Sequence, residues 1–121
     1  MSGSRRVLVT GGAGFIGSHV CEAYRDAGWD VTALDDLSSG SRKNVPDGVE
    51  LVVEDIRSDA AGELVRKGRF DLLNHHAAQI DVRVSVARPR HDASINVDGL
   101  LNLLEACRDA GTMLAVNWPI A

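Results

Sequence analysis

Gly11, Gly14 and Gly17 stand three residues apart, directly after the run Val7-Leu8-Val9-Thr10. From Ile16 onward, Val20, Ala23 and Ala27 recur at steps of four, three and four. The first run reads as a buried parallel strand and the second pattern as a helix. Glycines between them let the backbone turn sharply and let a phosphate approach with no Cβ in the way. The free N–H groups and the positive dipole end of the helix then face that anion. A glycine-rich turn without a ligand is the plain alternative, and the strand before and helix after favour a nucleotide site over it.

Asp35 closes the stretch Val31-Thr32-Ala33-Leu34 and lies 21 residues beyond Gly14, near the roughly 20 expected for a ribose-binding acid. A carboxylate there accepts hydrogen bonds from both adenosine-ribose hydroxyls and repels a 2′-phosphate, which favours NAD over NADP. Asp36 and then Leu37, Ser38, Ser39 and Gly40 follow where an adenosine would lie. Arg42 and Lys43 read as solvated loop charges, because Asp35 opposes the phosphate they would hold. Asp55 and Ile56 end a third apolar run and suit an adenine amino group and one ring face. Ala77 and Ala78 are small enough to let the middle of a dinucleotide lie against their loop. Asn96 either bonds the backbone of that loop or faces solvent.

His75 and His76 are neighbours on a strand and so point to opposite faces, which does not suit one metal ion. His19 and His91 add no helpful spacing, and no metal site is read. Cys21 and Cys107 fall inside helical patterns and read as small buried thiols, not as a disulfide framework.

The elements that must hold these residues follow from periodicity and punctuation. Strands are expected at 6–10, 31–35, 49–54, 70–74 and 113–117, and helices at 15–27, 59–67 and 91–110. Gly28 and Gly111 are placed just past helix ends, Asp59 as an N-cap, Gly68 as a stop and Pro89 as a helix-start marker. Residues 81–88 read as a loop or a helical turn. Ala93, Val97, Leu100, Leu101, Leu104 and Cys107 form the expected apolar stripe of the last helix. Alternating strands and helices imply an α/β, Rossmann-type doubly wound parallel sheet of order 3-2-1-4-5. Its ligand belongs at the carboxyl edge between strands one and four.

At 121 residues, 45% hydrophobic and 25% charged, the chain reads as one globular domain over residues 1–121. A net charge of −4 and a pI near 5.4 do not suggest a nucleic-acid partner. No apolar run reaches the length of a membrane span, and no signal-peptide core follows Arg5-Arg6. A cytoplasmic location is the expectation.

Taken together, these segments resemble the extended short-chain dehydrogenase/reductase family, nearest to its NAD-dependent nucleotide-sugar epimerases and dehydratases of the UDP-glucose 4-epimerase type. Thr10-Gly11-Gly12-Ala13-Gly14-Phe15-Ile16-Gly17 matches the family's T-G-x-x-G-x-x-G. Asp35 to Gly40 is similar to its adenosine loop, Asp55-Ile56 to its adenine pair and His76-Ala77-Ala78-Gln79 to its loop after strand four. Asn96-Val97-Asp98-Gly99 falls where the family carries N-V-x-G. The resemblance implies that Phe15 and Ile16 offer backbone donors to a pyrophosphate, and that Ala77, Ala78 and Gln79 approach a nicotinamide half. It implies a hydride taken from a sugar carbon by NAD and usually returned, with a Tyr-x-x-x-Lys pair and a Ser or Thr moving the proton.

The only tyrosine here is Tyr24, within the first helix, and Gly28 stands where the lysine would follow. Val116-Asn117-Trp118-Pro119 occupies the place of the family's serine segment. The expectation is therefore the N-terminal, NAD(H)-binding half of the family fold, with no catalytic residue assigned and no turnover by this chain. A nucleotide-sugar substrate is expected only of a full-length relative. The other reading is a non-catalytic interaction module that uses the sheet edge near Leu114 and Val116 for self-association or a partner, with NAD as a structural ligand or no ligand.

Overall fold

A computed structural model describes residues 4–77 and 87–116. Ala78, Gln79, Asn117, Trp118 and the segment read as 81–88, except for its last two residues, lie outside the described residues. The strands are β1 (Arg6–Thr10), β2 (Asp30–Asp35), β3 (Glu50–Val53), β4 (Leu72–His75) and β5 (Met113–Val116). They form one parallel sheet in the order β3-β2-β1-β4-β5. β1 is the central strand. Val7 pairs with Val31 on one side and Leu72 on the other, and Val7 to Thr10 are completely buried.

Period-two alternation divides the strand side chains between two cores. Leu8, Leu34 and Leu73 meet Ala61 and Val65 of α2 (Asp59–Lys67) and Leu103, Ala106 and Cys107 of α4 (Gly99–Ala110). Val7, Val9, Val31 and Ala33 meet Cys21 of α1 (Phe15–Asp26), with Val20 and Tyr24 alongside. Helices on both faces explain why the strands read as nearly continuous apolar runs.

Several local expectations need correction. The inward face of α1 is Gly17, Ser18 and Cys21, whereas Ile16, Ala23 and Ala27 are exposed. The helix starts so close to the glycine turn that a Cβ on Gly17 would overlap the Gly11 carbonyl, so small residues must face inward. Ser58, not Asp59, caps α2, its hydroxyl accepting the Ala61 N–H at 3.1 Å. β4 begins at Leu72, because Arg69 takes a left-handed φ of 55° and sets Phe70 into the core ahead of the strand. Gly28 and Gly111 do sit past helix ends at φ 91° and 73°, where the left-handed region favours glycine.

The last long helix is not one regular element. α3 (Pro89–Ala93) opens with Pro89 in its first turn, a π-helical turn follows over Ser94–Asp98, and α4 continues. Its buried residues are Gly99, Leu103, Ala106 and Cys107. Val97, Leu101 and Leu104 of the expected stripe are instead exposed. α4 crosses closely over the β3–α2 connection, where a side chain on Gly99 would overlap Ile56. The inward stripe therefore carries Gly99 and Ala106 beside Leu103 and Cys107, while Leu101 and Leu104 lie outward.

Candidate nucleotide-binding site

The glycine turn lies between β1 and α1 at the carboxyl edge of the sheet. Gly11 has φ 70°, donates its N–H to the Leu34 carbonyl at 2.8 Å and accepts the Gly14 N–H at 3.1 Å. A Cβ on Gly11 would lie 2.9 Å from the Ala77 nitrogen, so only glycine lets the turn seat against the loop after β4. Gly14 is different: a Cβ there would meet only the Gly11 oxygen, at 3.3 Å. Its outer side is open, with room for a ligand's phosphates. Gly14 caps α1 with no side-chain bond, and the Phe15 and Ile16 N–H groups have no acceptor among the described residues. Unpaired first-turn donors at the positive end of a helix suit an anion. Phe15 is 79% exposed and Ile16 56%, flanking that open side.

Asp35 is 8% exposed at the end of β2. One carboxylate oxygen accepts the Ala13 N–H at 3.0 Å and the other the Leu37 N–H at 2.8 Å. Each oxygen keeps an acceptor position, as a pair of ribose hydroxyls requires. Leu37 holds φ 64°, and Ser38 donates its N–H to Asp36. Ala13 ties the following loop to the glycine turn. Its carbonyl accepts the Ser41 N–H at 3.0 Å and the Asn44 side-chain amide at 2.9 Å, and Gly40 presses on its backbone. Asp36, Ser38 and Ser39 are exposed, in a loop whose two ends are fixed. Arg42 and Lys43 are exposed in a short 3-10 turn. Asn44 escaped the sequence reading; a lone polar residue in a polar loop carries no signal.

Thr10 is a junction that the sequence reading also missed. Its buried hydroxyl oxygen accepts the backbone N–H groups of His76 and Ala77 at 3.0 and 3.1 Å and lies 2.7 Å from His75 Nδ1. Having accepted twice, the hydroxyl donates its own hydrogen to Nδ1, so His75 is neutral with its hydrogen on Nε2. Burial holds the His75 pKa down at about 4, with the neighbouring His76 adding to it. Burial also lowers His76. Thr10 thereby fixes the start of the loop that carries Ala77.

Asp55 and Ile56 leave β3 at the same edge. Arg57 grips the Asp55 carboxylate through its own N–H, Nε and Nη2, and reaches Ser94 Oγ of the π turn at 2.9 Å. That guanidinium keeps the Asp55 carboxyl below its usual range. Asn96 is half-buried in the same π turn. Asn102 of α4 donates to the Ile56 and Ser58 carbonyls.

The loops after β1, β2, β3 and β4 thus bring Gly11, Gly14, Gly17, Asp35, Asp55, Ile56 and Ala77 to one edge of the sheet. Burial pushes the Cys21 thiol up to about 12, with Asp35 adding to the shift, so it stays protonated beneath the turn. Tyr24 is half-buried against the core: its hydroxyl accepts the Asn74 amide at 3.0 Å and its ring meets Trp29 edge-on. Among the described residues no three His, Cys, Asp or Glu gather as a metal site, and no helix is long and apolar enough to cross a membrane.

Residues 7–117 match the model of the NAD dependent epimerase/dehydratase family. A UDP-glucose 4-epimerase of Azospirillum brasilense is 46% identical over 109 residues, which is 89% of this chain and 31% of that protein. The solved UDP-glucose 4-epimerase of Thermus thermophilus, in complex with NAD, superposes with a TM-score of 0.84 at 48% identity, covering 88% of this chain and 35% of that one. The UDP-glucose 4-epimerase of Thermotoga maritima, solved with UDP-glucose, gives a TM-score of 0.88 at 36% identity, covering 92% and 37%. The chain spans about a third of the length of each of these relatives.

Proposed function

The chain belongs to the NAD dependent epimerase/dehydratase family, and from that premise we propose that residues 7–116 form a domain that binds NAD at the carboxyl edge of the sheet. The observation that carries this reading is the coupled state of the glycine turn and Asp35. One backbone unit, Ala13, gives its N–H to the ribose-facing acid and its carbonyl to the adenosine loop. That linkage fixes a phosphate site and a diol site relative to each other before any ligand arrives, and preorganisation of this kind lowers the entropic cost of binding.

In this reading the Phe15 and Ile16 N–H groups and the α1 dipole hold the pyrophosphate. Asp35 accepts from the adenosine ribose, and Asp36, Leu37, Ser38, Ser39 and Gly40 border the adenosine. Asp55 and Ile56 take the adenine. Ala77, Ala78 and Gln79 serve the nicotinamide half, and Asn96 joins the cofactor-binding set. Bound NAD supplies a hydride acceptor. In the family resembled, that acceptor serves a sugar carbon of a nucleotide sugar, with proton transfer by a Tyr-x-x-x-Lys pair that residues 1–121 do not contain. We therefore assign cofactor binding to this stretch, with epimerase-type turnover belonging to a longer protein that adds the proton-transfer and sugar-binding groups.

Calorimetric titration tests the assignment. NAD is expected to bind, NADP at least about tenfold more weakly, and Asp35→Asn to narrow that gap, because the loss of one charge removes the repulsion of a 2′-phosphate. Absence of heat with NAD up to millimolar concentration would overturn it. A second reading, an interaction module that associates through its sheet edge, is favoured by one observation: Met113 on β5 is 71% exposed, and β5 pairs only with β4 among the described residues.

A further inference from the structure

Arg57 is held more firmly than an exposed arginine needs to be. Its backbone N–H and its Nε lie 2.8 and 2.9 Å from Asp55 Oδ1, and its Nη2 lies 2.5 Å from Asp55 Oδ2. The remaining guanidinium nitrogen, Nη1, is spent on Ser94 Oγ at 2.9 Å. The ion pair leaves about a third of each side chain exposed, so water screens it and its contribution to stability is small. Its geometric effect is larger. An ionised carboxylate offers about four acceptor positions, and Arg57 brings three hydrogens to them, the Nε hydrogen shared between Oδ1 at 2.9 Å and Oδ2 at 3.1 Å. One position remains for a donor from outside. Its direction is set through Arg57 by Ser94, which stands on a different element. The β3–α2 connection is itself held to α4, since Asn102 donates to the Ile56 and Ser58 carbonyls at 2.8 and 3.0 Å.

We propose that Arg57 and Ser94 are positioning residues that fix the Asp55 carboxylate to accept one hydrogen bond from the exocyclic amino group of an adenine, and so make the site selective for adenine over bases that carry a carbonyl oxygen there. This rests on the NAD-binding reading and deepens it. A carboxylate held in place must confront a hypoxanthine oxygen, acceptor against acceptor, with no room to turn away. A carboxylate released from Arg57 turns toward water and relieves that repulsion. Selectivity therefore resides in the grip on Asp55 as much as in Asp55 itself. Asp36 and Asp98, whose charges also act on Arg57, reinforce its protonated state.

The experiment compares NAD with nicotinamide hypoxanthine dinucleotide, in which the adenine amino group is replaced by oxygen, as ligands of the unmodified chain, of Arg57→Met and of Ser94→Ala. The unmodified chain is expected to prefer NAD by about tenfold or more, as for a half-exposed charged acceptor left facing another acceptor. Arg57→Met is expected to cut that preference about fivefold or more, chiefly by improving the relative binding of the hypoxanthine form. Ser94→Ala, which leaves the Arg57–Asp55 pair intact, is expected to cut it by about twofold to threefold. If Arg57→Met weakens both dinucleotides equally and keeps their ratio, Arg57 is merely structural and the proposal fails. If the unmodified chain binds both dinucleotides equally well, the proposal fails while NAD binding stands. If it binds neither, the NAD-binding reading fails and takes the proposal with it.

Discussion

At the scale of single residues, buried polar groups rather than charges hold this edge of the sheet together. The Thr10 hydroxyl satisfies two backbone N–H groups and one imidazole nitrogen at once, and removing it strands donors that no water replaces cheaply. The consequence is clearest for His75. Its pKa is about 4 in the folded chain against an ordinary 6.5, so between those values the unfolded chain binds the extra proton and the folded chain does not. Stability therefore falls as the pH drops from about 6.5 to about 4, by on the order of 3 kcal/mol for this one group, and His75 adds no further loss below that. Urea denaturation across that window should show the decline. His75→Gln, which keeps an acceptor for Thr10 but cannot be protonated, should flatten it; an unchanged slope in the variant would assign the acid sensitivity to other groups.

At the scale of elements, α4 tests the rule that the larger apolar residues of an amphipathic helix face inward. Here Leu101 and Leu104 face outward. Leu103 is completely buried while Leu101 is 52% exposed. Leu103→Ala is expected to cost about 2–5 kcal/mol and Leu101→Ala no more than about 0.5 kcal/mol, read from the midpoints of two urea curves; equal losses would mean that the outward stripe is covered. The same helix shows what the sequence could and could not reveal. Strand order, the glycine turn and the placing of Asp35 were legible, because strand–turn–helix punctuation and a fixed spacing leave few alternatives. The inward face of α4 was not, because residue size competes with close approach, and the Gly99 contact with Ile56 is set by a segment more than forty residues away in the chain. The π turn over Ser94–Asp98 and the bond from Arg57 to Ser94 left no periodic signal either. Cap choice was legible only to within one residue: Ser58 and Asp59 are both good caps, and the geometry selects Ser58.

At the scale of the whole molecule, β3 and β5 each pair on one side only among the described residues, and β5 carries the exposed Met113. An unpaired strand edge beside an exposed apolar side chain favours association. Light scattering over a hundredfold range of concentration is expected to show reversible self-association, which Met113→Lys on that edge should weaken; a monomer throughout would remove the interaction reading and leave cofactor binding untouched.

The central position of β1 has a consequence for how the chain assembles. β1 precedes the other strands in the chain, yet its two neighbours follow at very different distances: Asp30 is 24 residues from its partner Arg6, while Leu72 is 65 residues from its partner Val7. One flank of β1 can zip early, and the other must wait until the chain has reached His75, the register partner of Thr10. Closing so long a loop is entropically costly and slow. Until then the Thr10 hydroxyl lacks the amides it will receive, and Gly11 lacks the Ala77 backbone against which it seats. The phosphate turn is thus encoded within the β1–α1 connection but acquires its final shape only once β4 has docked.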